Sequence, residues 1–107
     1  MGKFVFIYTG GRGMALTPAE QEASMKAWMG WMGGLGSAVV DGGNPFMPMA
    51  KHVNTDGSIA DGPVGAMAGG YTIVSAESLV AAAQMAKTCP GLAEGSQVTV
   101  YEIMQVM

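Results

Sequence analysis

With 107 residues, half of them hydrophobic and only 12% charged, the chain is long enough for one hydrophobic core and too apolar for intrinsic disorder. Five Lys and Arg against eight Asp and Glu leave a formal net charge of −3. The cations Lys3, Arg12, Lys26, Lys51 and Lys87 are dispersed, so neither nucleic acid nor an anionic membrane surface finds the clustered charge it needs.

One cysteine, Cys89, and one histidine, His52, can build neither an internal disulfide nor a structural zinc site. No metal and no cofactor is expected, and a lone thiol fits a reducing, cytoplasmic setting. No apolar run approaches the ~20 residues of a transmembrane helix. The apolar stretch Phe4 to Tyr8 is shorter than a signal-peptide core and lacks a cleavage pattern, so no export signal is read there.

Lys3 to Thr9 reads as a strand with Phe4, Phe6 and Tyr8 on one face and Val5 and Ile7 on the other, both apolar. Gly10, Gly11 and Gly13 break it. Thr17-Pro18-Ala19-Glu20 supplies an N-cap, a first-turn proline and an acidic residue. The helix that follows carries Met25, Trp28, Met32 and Leu35 at spacings of three and four, and ends at Gly33, Gly34 and Gly36. Ala38 to Asp41 reads as a second strand, ahead of the turn Gly42-Gly43-Asn44-Pro45.

Asp56-Gly57 between Ala50 to Thr55 and Ser58 to Asp61 predicts a hairpin with a two-residue loop. Tyr71 to Val74 forms the next strand. Ser75 is a candidate cap for a helix that buries Leu79, Ala82, Ala83 and Ala86 and stops at Pro90-Gly91. Gln97 to Val106 is the last strand. The order βαββαβ with an inserted hairpin predicts an α+β, ferredoxin-like layer with two helices on one sheet face. Burying one large apolar side chain is worth ~1.5–3 kcal/mol, so the other apolar face predicts a homodimer with two sheets face to face.

Asp61-Gly62-Pro63, Gly69-Gly70-Tyr71-Thr72-Ile73-Val74 and Ala86-Lys87-Thr88-Cys89-Pro90 together resemble the YCII-related family, and its Asp-Gly-Pro-Phe (DGPF) branch in particular. The resemblance spans nearly the whole chain and rests on the order and spacing of these short motifs. It implies a dimeric α+β barrel and, for most members, no assigned reaction. Val64 replaces the motif's Phe, and the segment from Pro63 to Gly69 is shorter than the family's and lacks its charged residues. The His that the YCII branch carries near its first helix has no counterpart.

The residues offer one polar pair. In a two-residue Asp56-Gly57 loop, His52 faces Asp61 at Cβ distances of ~4.5–5.5 Å, so a carboxylate could fix the imidazole as a general base. The alternative is that the pair only pins an exposed hairpin, or that a longer loop shifts the register and parts the two; Asp61 could equally hold an Asx-type turn. Cys89, near a helix C-terminus, is read as packing. Eleven methionines could ligate soft metals, but the helical spacing of Met25, Met29 and Met32 favours core. Trp28, Trp31 and Tyr101 are read as core or dimer contacts. Two functions follow: an acid-base enzyme of small-molecule metabolism using His52 and Asp61, or a non-catalytic module that binds a small ligand or a regulatory protein.

Overall fold

The structure, a computed structural model, describes residues 1–11 and 16–106; Arg12 and Gly13, read above as a dispersed cation and a strand breaker, lie outside the described residues. Strand β1 (Gly2–Gly10) leads to helix α1 (Pro18–Leu35), a 3₁₀ turn (Gly36–Ala38) and β2 (Val39–Asp41). The hairpin strands β3 (Lys51–Val53) and β4 (Ile59–Asp61) follow. Then come β5 (Ala68–Ala76), α2 (Leu79–Ala86), a second 3₁₀ turn (Pro90–Glu94) and β6 (Ser96–Ile103). Four strands form one sheet in the order β2-β5-β1-β6, while β3 and β4 pair separately. Every pairing is antiparallel. This α+β arrangement, with helices between the first and second and between the third and fourth sheet strands, is compatible with the ferredoxin-like fold.

The alternation of β1 settles which face is inside. Phe4, Phe6 and Tyr8 are buried beneath the helices with Val74, Ala76, Ala82, Ala86 and Cys89. Helix α1 covers them through half-buried Trp28 and Trp31. Tyr8 meets Trp28 edge-on at 5.1 Å between centroids, Trp28 meets Trp31 edge-on at 5.6 Å, and Phe6 lies 6.2 Å from Trp31. Edge-to-face contacts of this kind add about 0.5–1.5 kcal/mol beyond burial. The indole of Trp31 donates to Thr88 Oγ1 at 3.0 Å, and Ser24 donates to Glu94 at 2.6 Å, tying α1 to the segment after α2. Buried Cys89 belongs to this core, and burial raises its thiol pKa, as a packing role requires.

Local signals place α1 as expected. Thr17 accepts from Glu20 N and Glu20 reaches back to Thr17 N, a complete capping box. The apolar stripe is narrower than its spacing implies. Met25 and Met29 are 65% and 69% exposed, and it is Trp28, Trp31 and Leu35 that pack against the core.

Helix α2 starts later than read. Ser75 stays in β5 opposite Lys3, and Ser78 is the cap, accepting from Ala81 N at 3.1 Å. Within the helix only Ala82 and Ala86 are buried, and Leu79 and Ala83, expected inside, are exposed. The strand β5 therefore runs the full length of β1, pairing from Gly2 with Ala76 to Thr9 with Ala68.

On the far face of the sheet, Ile73, Val5 and Tyr101 form one cross-strand row and Tyr71, Ile7 and Thr99 the next. No element of the main sheet's own helices covers it, and Tyr101 is 58% exposed. The molecule is accordingly thin, 44 × 42 × 18 Å, and its Cα radius of gyration of 15.0 Å exceeds the roughly 13 Å of a compact chain this long.

One buried polar chain crosses the helix side. Tyr8 donates to Thr72 Oγ1 at 2.7 Å, and Thr72 donates to Gly42 O at 3.2 Å. Burial pushes the Tyr8 hydroxyl up from 10.0 to about 12. The native state thus holds this proton more tightly than the unfolded chain does. Its contribution is complete below pH 10 and is lost as pH rises toward about 12. Tyr8→Phe should cost about 1 kcal/mol at neutral pH through the missing bond, and denaturant melts should show a shallower alkaline loss of stability than the parent.

Two glycine substitutions should separate in sign. Gly43 has φ +73°, and a Cβ there would sit 1.6 Å from the Tyr71 carbonyl oxygen, whereas a Cβ on Gly33, inside α1, meets nothing within 4 Å. Gly33→Ala should gain about 0.5–1 kcal/mol from helix propensity. Gly43→Ala should unfold the edge of the sheet, read as a large fall in Tm.

Candidate functional site

The hairpin fixes where the predicted pair goes. Asn54 N donates to Ser58 O at 2.8 Å and Gly57 N to Asn54 O at 2.9 Å, so the loop has three residues, Thr55 to Gly57, with Gly57 at φ +87°. Three-residue loops of this kind place glycine in the left-handed position. Asp56 stabilises it by accepting from both the backbone N–H and the hydroxyl of Ser58, at 2.9 and 2.6 Å, and the hydroxyl bond above all lowers its carboxyl pKa.

One extra loop residue moves every partner by one. His52 stands opposite Ala60 and Lys51 opposite Asp61, which corrects the expected facing of His52 and Asp61. Directly opposed residues share a face and their neighbours occupy the other. His52 and Asp61 therefore project from opposite sides of the hairpin. Asp61 pairs with Lys51 at 2.5 Å, with both side chains well exposed, and Pro63, two residues on, has no N–H to close an Asx-type turn on it. Those turns form instead at Asp41, which accepts from Gly43 N at 2.9 Å, and at Asp56.

His52 has a different contact. Its Nδ1 lies 3.0 Å from Gly62 O, and since a carbonyl only accepts, Nδ1 carries the proton there. Gly62 N in turn donates to Ala50 O at 2.8 Å. The two bonds hold the end of β4 against the start of β3, and Gly62, at φ +82°, turns the chain at a position that favours glycine.

From that turn the chain forms one wall of a groove of about 590 Å³. Its floor is the far sheet face at Ile7, Thr9, Thr99 and Tyr101. One wall is Phe46, Met47, Met49 and Ala50, and the other is Pro63, Val64, Ala66, Met67 and Ala68. The first wall is anchored to the sheet. Phe46 N donates to Gly69 O at 2.8 Å, Pro45 bridges to Gly70, and the Phe46 ring stacks on Tyr71 at 5.9 Å. Gly43 allows this close approach by passing over the Tyr71 carbonyl. Tyr71 donates to Asp41 Oδ2 at 3.2 Å, and the negative charge of Asp41 raises the Tyr71 pKa.

No described residue lining this groove bears a carboxylate, imidazole, amine or thiol; its only side-chain polar groups, beside the thioethers, are the hydroxyls of Thr9, Thr99 and Tyr101. Lys51 and Asp61 line an adjoining depression that shares Met49, Ala50 and Met67 with the groove. The described lining offers an apolar surface with three hydroxyls to a molecule in the groove. Among the described residues no three His, Cys, Asp or Glu come together as a metal site, and no described helix is long and apolar enough to cross a membrane.

Tyr101, read from the sequence as a core or dimer contact, lies on the groove floor. Met47, Met49 and Met67 were missed as lining; the one signal for them was the absence of charge from Phe46 to Ala50 and from Pro63 to Gly70. A scan against protein-family models finds no match, and no curated protein matches the sequence.

A double-mutant cycle on unfolding free energies tests the register. Lys51→Ala and Asp61→Ala should couple by less than about 1 kcal/mol, as exposed pairs do. His52→Ala and Asp61→Ala should add, with no coupling.

Proposed function

We propose that the protein is a homodimeric, non-catalytic small-molecule-binding module, a dimeric α+β barrel of the YCII-related kind in its DGPF branch, acting in the cytoplasm. The observation that carries this reading is the uncovered apolar sheet face with a groove built on it. An 11.0 kDa chain that exposes 7259 Å² has about 1,600 Å² more surface than the roughly 5,600 Å² of a compact monomer of its mass. That excess is the size of one partner's share of a large homodimer interface.

Sheet against sheet across Val5, Ile73, Tyr101 and Ile103 would bury it and roof the groove. The family assignment is supported by the motif order and by the βαββαβ arrangement. The single buried Cys89 supports a reducing compartment. Acid-base catalysis is the weaker alternative, since His52 and Asp61 occupy opposite hairpin faces and neither lines the groove on the sheet face.

Light scattering at micromolar concentration should give twice the 11.0 kDa chain mass. Ile103→Asp, on an exposed position of the far face, should move dissociation to higher concentration while leaving the far-ultraviolet circular dichroism unchanged. A monomer at all accessible concentrations would overturn the dimer.

A further inference from the structure

We infer that the groove selects uncharged, largely apolar ligands, aromatic ones above all, and rejects anions of the same shape. This rests on the ligand-binding reading above and names the chemistry of its ligand. The groove's volume of about 590 Å³ lies within the ~300–1,000 Å³ of small-molecule sites. Selection against charge comes from what is missing along its walls. An ion seated there would give up part of its water and meet no opposite charge among the described lining residues. Lys51 and Asp61, in the adjoining depression, neutralise each other at 2.5 Å.

Selection for rings comes from what is present. Met47, Met49 and Met67 contribute three flexible thioethers from two different walls, and thioether sulfur makes favourable contacts with aromatic edges while adapting to irregular shapes. Tyr101 lays a fourth, rigid surface on the floor. The hydroxyls of Thr9, Thr99 and Tyr101 make no hydrogen bond to another described residue, so they are open to a single carbonyl or hydroxyl on an otherwise apolar molecule. The wall they face is held by backbone bonds, Phe46 N to Gly69 O on one side and Gly62 N to Ala50 O on the other, so the methionines can move without the groove collapsing.

The test uses two probes of almost the same shape. N-phenylnaphthylamine is neutral, and anilinonaphthalene sulfonate adds one negative charge to the same ring system. Titrated into the purified protein and followed by fluorescence, the neutral probe should bind saturably, and the sulfonate about tenfold or more weaker, because its charge loses water against the apolar walls and finds no partner among their described residues. Ala66→Glu, on the exposed wall segment, should weaken the neutral probe by a similar factor. Val80→Glu, exposed on α2 away from the groove, should leave it unchanged.

Equal or tighter binding of the sulfonate would overturn the selectivity while leaving a ligand-binding groove. Neutral-probe binding indifferent to Ala66→Glu would overturn the site. Absence of probe binding in a protein that scatters as a dimer would mean that the second copy's side chains fill the groove, overturning the ligand inference while the dimer stands. Probe binding by a monomer would do the reverse.

Discussion

Everything in this molecule hangs on the middle strand. β1 is bonded along both edges, to β5 and to β6, and is apolar on both faces. A strand alternates its side chains between two sides, so a sheet centred on such a strand needs two covers. The helices provide one. Phe6 and Tyr8 sit against Trp31 and Trp28 with Phe4 buried beside them, and each large side chain so buried is worth about 1.5–3 kcal/mol. The opposite cover is partial: segments 46–50 and 63–68 lean over only one end of the far face, and the groove is the space left between them and the strands.

That geometry explains why polar residues near the groove have structural duties. Asp41 caps a turn and receives the Tyr71 hydroxyl, His52 holds Gly62, and Asp56 shapes the hairpin loop. Each satisfies backbone or hydroxyl groups that would otherwise be left wanting where the chain reverses. A hairpin of two three-residue strands is marginal alone, and the His52 and Gly62 bonds are what attach its base to the rest of the wall.

The fold was legible wherever a period or a cap dictated the answer. Alternation in Phe4 to Tyr8, the Thr17-to-Glu20 box and the order of elements all act within a few residues. What could not be read were choices decided by distant partners. Ser75 or Ser78 could each cap a helix, and only pairing of β5 along the whole of β1 decides for Ser78. Met25 and Met29 carry a core-like spacing, but Trp28, Trp31 and Leu35 are the residues of that helix that meet the core. The His52 pairing failed on a single residue of loop length, since Asp-Gly serves two-residue and three-residue turns alike and the bonds of Asp56 to Ser58 tip the choice. The groove itself was invisible because its walls come from segments with no regular period.

The central position of β1 has a consequence for how the chain folds. Its first partner, β5, arrives more than sixty residues later, and its second, β6, later still, so the sheet's heart is made entirely of long-range contacts, which form slowly. Until then Phe4-Val5-Phe6-Ile7-Tyr8 is an uncharged, proline-free run of strong strand formers, the composition of segments that stack between chains. Each unfinished copy therefore offers every other copy a ready strand edge. The alternation that gives the native sheet its centre makes concentrated, partly folded chains compete with their own folding.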